Sequence, residues 1–165
     1  MKAIIYLTLA VLLFAAGRVS STQDAKSSAT PPVAQIERVT GIGGVFLKVS
    51  DPKRLAAWYK DNLGIETKGG FHNFEWREKD KPDEVGKTIW TLFPTNTTYF
   101  GASKSPVMIN YRVANLDRML EQLRSAGVQP EKVVDYSYGR FSWITDPDGN
   151  RIELWEPKAP KPAQK

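Results

Sequence analysis

Few residues of this chain are equipped for chemistry. Glu153 stands in the middle of "RIELWEP" (residues 151–157), an alternating run that follows the tight turn Asp146-Pro147-Asp148-Gly149. A carboxylate on an otherwise apolar strand is costly to bury unless it is paired or hydrogen-bonded. Left unpaired, it ionises late and becomes a candidate general base; the same group is also a ligand for hard cations. Two further strand-like runs carry Lys48, Asn110 and Arg112, two cations and an amide. His72 is the single histidine and there is no cysteine. Thiol catalysis, thiolate metal sites and disulfides are therefore excluded. "GIGG" at 41–44 is not a phosphate loop, because it precedes a strand pattern and lacks the Lys-Ser/Thr that follows such a loop. Asn96-Thr97-Thr98 is a glycosylation acceptor only where exported proteins are glycosylated.

The elements that must carry these residues occur twice. "VFLKVSDPKRLAAWYKDNLGI" from Val45 and "MINYRVANLDRMLEQLRSAGV" from Met108 each read as alternating strand, cap, amphipathic helix and glycine stop. In the first, Ser50 or Asp51 is the cap, Pro52 opens the helix, Leu55, Trp58, Tyr59 and Leu63 form the apolar stripe, and Gly64 ends it. In the second, Asn115 is the cap, Leu116, Leu120, Leu123 and Ala126 form the stripe, and Gly127 ends it. "TIWTLF" (88–93) and "RIELWE" (151–156) repeat at nearly the same offset, which points to duplication with a pseudo-two-fold relation. Three shorter strands are expected after each helix: 65–68, 71–76 and 88–93, then 132–136, 140–145 and 150–156. The charged run at 77–86 is a loop. The predicted class is α+β, two β-α-β-β-β modules whose free sheet faces curl together into a cleft.

The ends differ from this core. Lys2, the apolar stretch Ile4 to Ala16, and Val19 and Ser21 at the −3 and −1 positions predict an export signal over 1–21, too short to span a bilayer as an ordinary helix. The alternative is an uncleaved anchor. Residues 22–38 are a Ser/Thr/Pro/Ala linker, the domain runs over 39–157, and 158–165 is a Pro/Lys tail. The product is expected outside the cytoplasm, periplasmic or secreted, without stable membrane association once the signal is removed. The pI of about 9.4 comes from scattered lysines rather than a basic stripe, so no nucleic-acid partner is inferred.

"LKVSDPKRLAAWYKDNLGI" (47–65) and "DPDGNRIELWEP" (146–157) resemble the vicinal oxygen chelate superfamily, which includes glyoxalase I, bleomycin-resistance proteins and extradiol dioxygenases. The resemblance spans about 41–157. It implies paired β-α-β-β-β modules around a U-shaped cleft but not a reaction. In glyoxalase-like members the metal ligands lie on the first and last strands of each module. Those places fall here on Gly44, Trp90, Met108 and Glu153, and only Glu153 keeps a ligand type. No metal or other cofactor is therefore expected, a divalent metal being the alternative. His72, on a middle strand, is the one substitute ligand. Strand alternation would place Phe46, Lys48, Trp90, Leu92, Met108, Asn110, Arg112 and Trp155 on the cleft with Glu153. Lys48 stands where the family often has a substrate-contacting Arg. Tyr136, Tyr138 and Arg140 would lie at the mouth. Trp90 and Trp155 are otherwise packing residues that fill a former metal site. Three functions follow from the resemblance: a metal-free binder of a small aromatic or anionic ligand; a metal-dependent lyase, isomerase or dioxygenase-type enzyme using Glu153; and a non-catalytic partner-binding module. A homodimer is implied by the resemblance alone.

Overall fold

A computed structural model describes residues 36–158 except 78, 80 and 81. The expected signal at 1–21, most of the expected linker and all but the first residue of the expected tail lie outside the described residues. The elements run β1 (Val39–Val49), α1 (Pro52–Leu63), β2 (Phe71–Arg77), β3 (Val85–Pro94), β4 (Val107–Val113), α2 (Leu116–Ser125), β5 (Val134–Tyr136), β6 (Gly139–Thr145) and β7 (Arg151–Pro157). They build one seven-stranded mixed sheet in the order β2-β3-β1-β4-β7-β6-β5.

This order is the duplication made visible. The first strand of each half pairs in parallel with the last strand of the same half, β1 with β3 and β4 with β7. The two halves join where β1 and β4 pair antiparallel, Phe46 opposite Met108 and Gly44 opposite Asn110. The second half has all three strands that were expected after its helix. The first half lacks one of them: the strand expected at 65–68 is reduced to a single bridge between Lys68 and Phe71. Gly69 and Gly70 both hold positive φ and turn the chain at once. The Glu66 carbonyl then accepts from His72 Nδ1 at 2.9 Å instead of joining a ladder.

Both helices start as their sequences dictate. The Asp51 carboxylate accepts from Arg54 N at 3.0 Å, and the Asn115 side chain accepts from Arg118 N at 2.9 Å. Gly64 ends α1 in the left-handed conformation. Their packing differs. Leu116, Met119 and Leu120 of α2 are buried against Val113 and Leu154, and each fully buried leucine contributes about 1.5–3 kcal/mol. No residue of α1 is fully buried, and Trp58 and Leu63 are exposed. The other face of the sheet carries a second cluster, dominated by rings: Phe46, Phe100, Met108, Phe141, Trp143 and Trp155. Glu153 belongs to this face, opposite Trp143 in the β6/β7 register.

Candidate functional site

Glu153 is 1% exposed and both of its oxygens are engaged. Oε1 accepts from Asn110 Nδ2 at 2.6 Å. Oε2 accepts from Trp143 Nε1 at 2.8 Å and from the Tyr99 hydroxyl in a short contact. The sheet register places two of these partners. Asn110 is opposite Glu153 across β4/β7, and Trp143 is opposite it across β6/β7. Tyr99 arrives from the turn segment between β3 and β4. All three donors are neutral, and among the described residues no ion pair reaches the carboxylate. Burial pushes the Glu153 carboxyl above its ordinary value; the three hydrogen bonds and, last, the Arg151 charge draw it back down. The Tyr99 hydroxyl is pushed well above its ordinary range by burial and by the adjacent carboxylate.

Alternation brings Phe46, Met108, Asn110 and Trp155 to this face as expected. The bulged "GIGG" stretch makes room for them. A Cβ on Gly43 would lie 2.1 Å from Asn110 Oδ1 and 2.7 Å from Trp155 Cε3. Asn110 Oδ1 and Trp155 Nε1 are buried without a hydrogen-bond partner among the described residues. Lys48 does not reach Glu153: its Nζ donates to Ser103 O at 3.1 Å and sits 4.9 Å over the Phe100 ring. The Arg112 guanidinium lies 4.3 Å over the Trp76 ring, at the module-one end of the face.

Three expected placements are corrected. Trp90 is opposite Val45 in the parallel β1/β3 register, whereas Phe46 is opposite Thr91 and Lys48 opposite Phe93. Ile89 and Phe93 therefore pack on the ring cluster, and Trp90 turns to the helix side, 4.6 Å from the Tyr59 ring of α1. Leu92 shares the parity of Trp90. Arg140 is likewise not at the mouth; it holds Asp117 of α2 through two bonds of 2.8 and 2.7 Å. Tyr136 and Tyr138 are at the rim, exposed and stacked 5.4 Å apart, each edge-on to Phe141. His72 bonds Glu66 and meets Phe74 on β2. Sequence reasoning missed Tyr99, Trp143 and Phe93. The β6/β7 hairpin register could have yielded Trp143, since the five residues 146–150 between the paired Thr145 and Arg151 set it opposite Glu153.

The model of the Glyoxalase/Bleomycin resistance protein/Dioxygenase superfamily matches residues 41–154. The chain belongs to this superfamily. Among solved structures, this superfamily member is similar to methylmalonyl-CoA epimerase from Mycobacterium tuberculosis, at 25% identity and a TM-score of 0.50, covering 73% of this chain and 90% of that one. A Streptomyces coelicolor methylmalonyl-CoA epimerase variant in complex with 2-nitronate-propionyl-CoA shares the fold at 16% identity and a TM-score of 0.56, covering 74% and 100%. No curated protein matches the chain in sequence.

The superfamily's divalent metal does not fit the donor set present here. Of the four ligand places, Gly44 has no side chain, Met108 is buried among rings and Trp90 faces α1. The two oxygens of Glu153 already accept from three donors, whose N–H and O–H groups point at the place a cation would take. Among the described residues no group of three His, Asp or Glu side chains could hold an ion.

Proposed function

We propose that this domain binds a small planar organic molecule at the aromatic face over Glu153, with the polar group of the molecule meeting protein donors and acceptors rather than a metal. One observation carries the reading: a buried carboxylate held only by neutral donors lies beneath an aromatic rim that includes exposed Tyr136 and Tyr138. Rings supply apolar contact area at low entropy cost, and a few fixed polar groups orient the ligand. The apolar stretch behind Lys2 favours action outside the cytoplasm.

The test is a thermal-shift panel on the wild-type protein with planar aromatic compounds, neutral, cationic and anionic, followed by calorimetric titration of any that shift. A ligand at one hundred times its Kd adds about 2.7 kcal/mol to the native state, a readily measured rise in Tm. Binding that Phe141→Ala weakens supports the reading. A panel without a single shift removes it.

A further inference from the structure

The phenol ring of Tyr99 occupies a slot that looks made for a detached ligand. It stacks on Phe93, with centroids 5.0 Å apart and planes 7° from parallel. Phe46 and Trp143 meet it edge-on at 6.2 and 6.0 Å. At the inner end its hydroxyl donates to Glu153 Oε2. The slot thus has one flat wall, two perpendicular walls and a buried acceptor at its end, the complement of a hydroxylated aromatic ring.

Tyr99 also reaches solvent. It is 37% exposed, while Phe100 beside it is fully buried. The segment is pinned at Phe100, at Ser103 by Lys48 and at Pro106, whose carbonyl accepts from Lys48 N at 2.7 Å. The Tyr99 backbone N–H makes only a local bond, 3.2 Å to Thr97 Oγ1. Rotation of the Tyr99 side chain to solvent leaves those anchors in place.

We infer that the slot filled by Tyr99 is a binding site for a free phenol, and that Tyr99 is its resident competitor. This rests on the ligand-binding reading above and narrows it. The chemistry at the inner end selects the class. Glu153 Oε2 receives from the occupant, so the occupant must bring a hydrogen-bond donor, as the Tyr99 phenol does. An anionic group would meet a buried carboxylate with no cation in direct contact, a repulsive arrangement. A ring without a hydroxyl leaves a buried acceptor short of one partner, and sites built around a hydroxyl reject the analogue that lacks it.

Calorimetric titration of p-cresol, toluene and p-toluate into wild type, Tyr99→Phe and Tyr99→Ala tests this. Removing the hydroxyl of the competitor frees the slot more often, and removing its ring vacates it, so p-cresol affinity is expected to rise from wild type through Tyr99→Phe to Tyr99→Ala, by about tenfold or more overall. In Tyr99→Ala, toluene is expected to bind at least about tenfold more weakly than p-cresol, and p-toluate not at all. If Tyr99→Ala fails to fold, the comparison of Tyr99→Phe with wild type decides. Equal p-cresol affinity in the folded variants and wild type overturns the inference, as does toluene matching p-cresol. The two readings fail separately. A planar ligand that binds wild type and is indifferent to both substitutions leaves the general reading standing and removes the slot. Binding of p-cresol to Tyr99→Ala, with no panel compound binding wild type, keeps the slot and removes the general reading.

Discussion

Glu153 has exchanged water for three protein donors, and the exchange is incomplete in energy even though both oxygens are engaged. Desolvation outweighs the hydrogen bonds, so the carboxyl titrates above its ordinary value of 4.5. Between the unfolded and folded values the native chain keeps a proton that the unfolded chain has released. Stability contributed by this group is therefore complete below about pH 4, falls as pH rises through the interval, and levels off above the folded value. Glu153→Gln carries no such titration. Urea melts of the two proteins from pH 4 to 8 are expected to show wild type losing stability relative to the variant as pH rises; parallel profiles would contradict the raised pKa. The variant is also expected to be less stable at every pH, because its amide brings N–H groups to a place where three donors already point. Part of this environment was legible in the residues. A lone acid on an alternating apolar strand had to be partnered, and Asn110 on the neighbouring first strand was on the same face. Tyr99 was not legible, because it lies in a turn segment where no periodicity announces which way a side chain points.

At the scale of elements, the sheet decides what the ring cluster can contain. The register shifts in β1 between Val39 and Gly41 and between Ile42 and Gly44 turn Gly43 toward Asn110 and Trp155. A methyl group there collides with Asn110 Oδ1, with the Trp155 ring and with Arg112 Cγ at 2.8 Å, all of them walled in by neighbouring strands. Gly43→Ala is expected to cost about 1–3 kcal/mol by overpacking and to displace the Asn110 amide from Glu153. Chemical denaturation measures the first effect; a change in the pH dependence attributed to Glu153 reports the second. A variant as stable as wild type would show that the strand yields more easily than its packing suggests. The strands, helices and caps were readable because their periods and cap residues agree. Two readings failed, one through register and one through turn chemistry. Sequence offset makes Trp90 the counterpart of Glu153, but the parallel pairing of Val45 with Trp90 sets the opposite parity. The strand expected at 65–68 was lost to two consecutive glycines whose positive φ closes the turn early.

Over the whole molecule, duplication supplies two copies of one plan, and the copies have diverged in what they bury. The second half packs its helix on the sheet and contributes Asn110, Trp143 and Glu153 to one cluster; the first leaves α1 without a buried residue and contributes Phe46 and Phe93. A metal centre assembled across such a sheet needs ligands from both halves. The first half offers glycine at one of its places and, at the other, a tryptophan turned to the helix. The second half offers a carboxylate whose lone pairs are already committed to donors. Three or four ligands are the usual minimum for a tightly held divalent ion, and a hydrogen-bond donor must leave before its acceptor can coordinate. Purified protein is therefore expected to carry far less than one equivalent of any divalent metal by elemental analysis. Its Tm is expected to be unmoved by a chelator or by millimolar Mg, Mn, Ni or Zn ions, since only an ion that prefers the native state raises it. A stoichiometric ion whose removal lowers Tm, and whose binding is lost in Glu153→Gln, would mean that Tyr99, Asn110 and Trp143 release the carboxylate far more readily than three simultaneous hydrogen bonds imply.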